Sequence, residues 1–352
     1  MKKSVLATLV LAASSLTIAT CSPAFAQQKT LTISSWGGAF QKAQRAAWFN
    51  LVEKELGIII KEENTTGIAE VRAQVASGKP TWDLSTQGAY ACGLLQKEGL
   101  LEKLSPEAIE IIKDVPADLR SDYWVSQMVY SVAIGWREQA FGGKKPTGWA
   151  DFWDQKNFPG ERSLRRQPIY ALEMALIADG VPMNKLYPLD VDRAFKKLEQ
   201  LKPNVLVWWN SGAQSAQVLK DGEVDLVSAW NGRIQAVQDE PPGKGGKIGF
   251  TFEQQMFVSD CWLIPKGAAN KELAQKAIAI MLRPEVNARL SNYINYAPAN
   301  SKSYATGVIA QEKLADLPNS PANINKGFTL SLDWWIEHND AMVKRFDAFL
   351  QK

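Results

Sequence analysis

The sequence predicts an α/β protein of two units, each a mostly parallel sheet flanked by helices, with a hinged cleft between them. Three observations carry that expectation. Short apolar runs alternate with segments of helical period, the pattern of parallel strands joined by helical crossovers. The alternation restarts after about Gly143. The chain is also 352 residues long, more than one hydrophobic core usually serves.

In the first unit, Leu31 to Ser34 is a short apolar strand followed by the tight Trp36-Gly37-Gly38 turn. Phe40, Ala43, Ala47, Leu51 and Val52 then recur at helical spacing until Gly57 stops the helix. Ile58 to Ile60 is a second strand, Ile68 to Ala76 a helix, Trp82 to Ser85 a strand and Tyr90 to Lys97 a helix. In the second unit, a helix at residues 149–153 precedes a strand near Ser163 and a helix from Tyr170 to Ala178. A helix from Val191 to Leu201, a strand from Val205 to Trp208, a helix from Gln214 to Leu219 and a strand from Val224 to Ser228 follow. The segment after Phe257 reads as a strand ending in Ile264-Pro265, and Asn270 caps a helix running to Leu282. Open parallel sheets bind ligands at the carboxyl ends of their strands. Facing units therefore place the Trp36-Gly37-Gly38 and Trp230-Asn231-Gly232-Arg233 turns around one site.

Composition narrows the function. The chain is 46% hydrophobic and 22% charged, ordinary for a globular protein, with 40 basic against 37 acidic residues. That balance excludes charge-driven nucleic-acid binding. Residues 1–26 read as a secretory signal peptide: Lys2 and Lys3 precede an apolar run, and Ala24-Phe25-Ala26 is an A-x-A cleavage signal. The apolar run is shorter than the roughly 20 residues that span a bilayer. Cleavage after Ala26 is expected, and the competing reading makes Cys21 the first residue of a lipoprotein, with Thr20 a poor neighbour for it. Removal of Lys2 and Lys3 leaves 38 basic against 37 acidic residues. Cys92 and Cys261 remain, as a disulfide or as two buried thiols, and spacing does not decide which. The single histidine, His338, disfavours catalysis by a His base and any multi-histidine metal site. No cofactor and no metal are expected.

Ordered segments then give a resemblance. LTISSWGGAFQKAQ (31–44), the pattern from Asp83 to Leu104, VAIGW (132–136), TGWADFWD (147–154), DGEVDLVSAWNGR (221–233), SDCWLIPKGAANKELAQKAIAIMLRPE (259–285) and NYAPAN (295–300) resemble the periplasmic solute-binding proteins of ABC importers, in the spermidine/putrescine-binding group. WNGR and SDCW are similar to those of γ-aminobutyrate-binding members. The resemblance implies a two-lobed, type II-like periplasmic-binding-protein fold crossed near Ala133, Ser259 and Tyr304. Lobe 1 then comprises residues 27–132 with 260–304, and lobe 2 residues 133–259 with 305–352. It further implies a periplasmic location, a small-molecule ligand, a membrane permease as partner and a monomeric chain.

The resemblance places Trp36, Tyr90 and Trp230 in an aromatic box and makes Asp260 the partner of a ligand amine. A Trp face attracts an ammonium while burying methylenes. Any of these aromatics is also a plausible core residue. The chain departs from the polyamine pattern at Leu164-Arg165-Arg166-Gln167-Pro168-Ile169-Tyr170, where two arginines stand and no carboxylate. Arg166, with Tyr170 beside it, and Arg233 are candidates to grip a carboxylate, and the Gly37 and Gly38 N–H groups to support it. The competing readings make Arg165 and Arg166 solvated strand-end charges and Arg233 a structural ligand of a helix or the other lobe. Ser211 offers a hydroxyl or is a plain helix cap, and Trp334 is the aromatic of the last helix assigned to the cleft. Together these charges point to an amphoteric ligand, an amine at one end and a carboxylate at the other, with a polyamine as the alternative.

Overall fold

Two groups of three parallel strands are joined by two long antiparallel strands in the computed structural model, which describes residues 29–351. The expected signal peptide and Cys21 lie outside the described residues. The strands are β1 (Thr30–Ser35), β2 (Ile59–Asn64), β3 (Leu84–Gly88), β4 (Trp124–Arg137), β5 (Arg162–Arg165), β6 (Val205–Trp209), β7 (Leu226–Trp230), β8 (Ile248–Leu263), β9 (Ala297–Pro298) and β10 (Gly327–Thr329). Their order is β2-β1-β3-β8-β4-β7-β5-β6, with β10 beside β8 and β9 beside β4. β2-β1-β3 and β7-β5-β6 are parallel, as the apolar strand runs predict, whereas β3-β8, β8-β4 and β4-β7 are antiparallel.

β4 and β8 connect the groups. β8 pairs β3 through residues 260–263, and β4 pairs β7 through residues 132–136. Between them the ladder slips twice, at Ser126/Met128 and at Val132/Ile134, so that Ala133 falls on the second irregularity. Extra residues of this kind bend a strand and increase its local twist. Ser259 lies opposite Val129 inside the same ladder. Tyr304, the third expected crossing, lies in a short turn of helix, Ser301–Thr306, with its hydroxyl donating to Asn319.

The helices follow from local chemistry. In Val191–Leu201, Asp190 caps the first turn by accepting from the Arg193 N–H at 3.1 Å, and Ala194, Phe195, Leu198 and Leu201 bury one face. The helix after β1 begins at Gly38 and reaches Leu56 through one wider turn at residues 45–49. The last helix, Leu332–Gln351, sets Ile336 against Gly93 of the helix Ala89–Lys97 and Phe346 against Phe195. Cys92, from Ala89–Lys97, is disulfide-bonded to Cys261 of β8, with Cα atoms 6.7 Å apart. Among the described residues, no helix is long and apolar enough to cross a membrane, and no group of His, Cys, Asp or Glu is arranged to hold a metal.

Candidate functional site

The ends of β1, β3, β5 and β7 and the middles of β4 and β8 converge on one cavity of about 230 Å³. Its walls are largely aromatic: Trp36 follows β1, Tyr90 opens the helix after β3, Trp230 ends β7, Tyr130 comes from β4 and Tyr170 from the turn after β5. Two charged side chains face it, Arg165 and Asp260.

Asp260 is 4% exposed. Its Oδ2 accepts from Trp36 Nε1 at 2.7 Å and its Oδ1 from the Tyr130 hydroxyl at 3.0 Å. Burial raises its pKa to about 7, against the opposing pull of those two hydrogen bonds and of Arg165 and Arg233. Two donors thus aim the carboxylate, and a ligand ammonium would replace hydration that burial has removed. Arg165 lies opposite in an aromatic cradle, its guanidinium carbon 5.3 Å from the Tyr170 ring centroid, 5.4 Å from Trp230 and 5.9 Å from Trp209. Stacking fixes a planar guanidinium while leaving its in-plane donors free for a carboxylate. Trp230 Nε1 is also buried without a hydrogen-bond partner, a further donor on the same wall.

The expected residues divide. Trp36, Tyr90, Tyr170, Trp230 and Asp260 all line the cavity. Arg166 does not: it is exposed, and its guanidinium lies 3.8 Å from Asp347. Successive strand residues point to opposite faces, so only one of the two adjacent arginines at the end of β5 faces the cavity, and it is Arg165. Arg233 is 6% exposed and lines a small space behind the cavity with Phe40, Met128 and Tyr296, sharing Trp36, Tyr130, Trp230 and Asp260 as the dividing wall. It contributes positive potential from the rear and does not line the main cavity.

Gly37 and Gly38 have φ of 63° and 59°, which explains glycine at both, but neither lines the cavity. The Gly37 N–H donates to Gln41 Oε1 at 3.0 Å, so it is not free for an anion. Ser211 is a plain cap, accepting from the Gln214 N–H at 3.2 Å, and is exposed outside the cavity. Its neighbour Gly212 matters more, since a Cβ there would stand 2.6 Å from the Trp230 ring and 3.0 Å from Arg233 Nε. Trp334 packs instead of reaching the cleft: it stacks on His338 at 4.4 Å and meets Trp335 edge-on at 4.9 Å. Arg165, Tyr130 and Gln167 in the cavity and Tyr296 behind it are not among the expected site residues. Tyr296 stood within NYAPAN, but Tyr130 carried no motif of its own.

The chain matches the model of the family described as bacterial extracellular solute-binding protein over residues 47–318. It is 35% identical over 343 residues to the γ-aminobutyric acid-binding protein of Pseudomonas aeruginosa, covering 94% of each chain. Its structure superposes with TM-score 0.86 on an ABC transporter substrate-binding protein from Bradyrhizobium japonicum, at 44% identity and covering 92% of this chain and 100% of that one. A TM-score of 0.85 relates it to the binding protein MotA from Agrobacterium tumefaciens B6 in complex with glucopine, at 34% identity and covering 91% and 99% of the two chains. The fold is therefore the two-lobed α/β fold of periplasmic binding proteins. By the family match and by its relatives, the chain belongs to the bacterial extracellular solute-binding protein family.

Proposed function

We propose that this protein is the periplasmic substrate-binding component of an ABC importer, and that it takes a small amphoteric ligand, γ-aminobutyrate-like or otherwise derived from an amino acid. The observation that carries this reading is the placement of Arg165 and Asp260 on one aromatic cavity. A guanidinium and a carboxylate together suit a ligand bearing one charge of each sign, whereas a diamine would leave Arg165 facing an ammonium. The cavity, about 230 Å³, lies below the roughly 300–1,000 Å³ of drug-sized sites and suits a compact ligand. The γ-aminobutyric acid-binding relative supports the same class.

Lobe 1 is residues 27–132 with 260–304 and lobe 2 residues 133–259 with 305–352, moving about β4 and β8. Ligand bridging Asp260 and Arg165 favours the closed arrangement by its differential affinity, and the closed form is the one the permease recognises. Export follows cleavage after Ala26, and the mature chain acts as a monomer without a cofactor. A thermal-shift panel of γ-aminobutyrate, putrescine, spermidine and glucopine tests the ligand class, because a ligand that binds only the native state raises Tm. An increase with γ-aminobutyrate, the compact amphoteric member of the panel, is expected. Stabilisation by polyamines alone would transfer the protein to the polyamine-binding class.

A further inference from the structure

Tyr170 occupies a position at which glycine is normally found. Ile169 has φ −59° and ψ 133°, and Tyr170 has φ 76° and ψ −43°, a positive-φ conformation whose ψ falls between those of a type II turn and a classic γ-turn. A bulky residue held in this region is strained, and such strain persists only where the surroundings impose it. Here a carboxylate accepts from the strained residue's own N–H. The Tyr170 N–H donates to Glu173 Oε2 at 3.0 Å, and Glu173 is fully buried. Its Oε1 accepts from the Tyr187 hydroxyl at 2.6 Å and from Trp335 Nε1 at 2.7 Å. Among the described residues Glu173 has no ion-pair partner. Burial pushes its pKa up, and the donors from Tyr187, Trp335 and the backbone oppose that rise. Three donors from separate segments thus converge on a buried carboxylate outside the cavity, and the group they immobilise is Tyr170, whose ring cradles Arg165.

We propose that Glu173 is a positioning residue for ligand recognition: by clamping the Tyr170 backbone in its positive-φ conformation it holds the ring that aims the Arg165 guanidinium into the cavity. The inference rests on the reading of Arg165 as the carboxylate-binding group. Glutamine does not substitute for Glu173. Its amide has one acceptor oxygen, and its NH₂ group would face either the Tyr170 N–H or Trp335 Nε1–H, both of which only donate.

The test uses the mature protein with Glu173→Gln, Arg165→Lys and the double variant, titrated with γ-aminobutyrate, alongside a crystal structure of Glu173→Gln. Glu173→Gln is expected to weaken binding about tenfold, the scale of one strong hydrogen bond. In the Arg165→Lys background, which keeps a charge but lacks the stacked fork, the same change is expected to add little. In the crystal structure Tyr170 returns to negative φ and Arg165 leaves its cradle. Fully additive losses, or unchanged Tyr170 and Arg165 in Glu173→Gln, overturn the proposal and assign Glu173 to folding alone. If Glu173→Gln does not fold, Trp335→Phe removes one donor and is expected to weaken binding in the same direction, more in the wild-type than in the Arg165→Lys background. Equal losses in the two backgrounds overturn the clamp. Absence of γ-aminobutyrate binding by the wild type would remove the reading of Arg165, while the crystal structure still decides whether Glu173 holds Tyr170.

Discussion

Arg165 and Arg166 stand side by side in sequence and differ in everything that matters for recognition. Arg165 is half-buried on the cavity wall against three aromatic rings, while Arg166 is exposed beside Asp347. Arg165→Met is therefore expected to lower affinity for a carboxylate-bearing ligand by about 10- to 100-fold, and Arg166→Ala to leave it unchanged, as calorimetric titration will show. Asp260 makes a prediction about pH. Its folded pKa, raised to about 7 by burial, exceeds the unfolded value of about 4. Between those values the unliganded native protein holds a proton that the unfolded chain has lost, so this group lowers stability as pH rises through the window. A ligand ammonium favours the ionised form. Binding below pH 7 is thus expected to release up to one proton, read from titrations in buffers of different ionisation enthalpy, and Asp260→Asn to abolish the release.

At the scale of elements, the two parallel triplets were legible because their strands are short apolar runs between helical segments. β4 was harder to read. Ser126, Gln127 and Ser131 are fully buried within it and break the apolar run. For two of them the fold supplies side-chain partners: Ser126 Oγ lies 2.9 Å from Ser259 Oγ and the Gln127 amide donates to Thr86 Oγ1 at 3.2 Å, whereas at Ser131 it is the backbone N–H that is met, donating to Asn231 Oδ1 at 2.9 Å, and the hydroxyl has no partner. Such pairings span more than forty residues of sequence and leave no periodic trace. The same limit applies to the site. The family resemblance named Trp36, Tyr90, Trp230 and Asp260, which line the cavity, but which of two adjacent arginines faces inward depends on strand register, and the positive-φ Tyr170 has no glycine to announce it. Gly212 offers a test of packing between elements. Gly212 is the first residue of the helix Gly212–Lys220, where Gly→Ala recovers less than the roughly 1 kcal/mol it gains in a helix interior. Here the new methyl would strike the Trp230 ring, so Gly212→Ala is expected to weaken ligand binding, measured by titration, with little or no gain in Tm. Unchanged affinity would mean that Trp230 can move without cost.

Across the whole molecule, the cavity draws on both strand triplets while only β4 and β8 run continuously between them. Irregular pairing on both sides of residues 127–132 concentrates bending in the ladder that joins the two triplets. Asp260 lies on β8 beside β3, and Arg165 ends β5 in the other triplet, so a ligand carrying both charges would span the two triplets. Ligand addition is accordingly expected to reduce the radius of gyration in small-angle scattering, and Asp260→Asn to blunt that compaction. In the proposed site one cavity matches an ammonium to Asp260 and a carboxylate to Arg165. Calorimetric titration of the mature protein with γ-aminobutyrate and with putrescine, two compounds that share an amine and differ in the far group, tests it most directly. Saturable one-to-one binding of γ-aminobutyrate, with putrescine at least about 100-fold weaker, is the predicted result. Tighter binding of putrescine would contradict it.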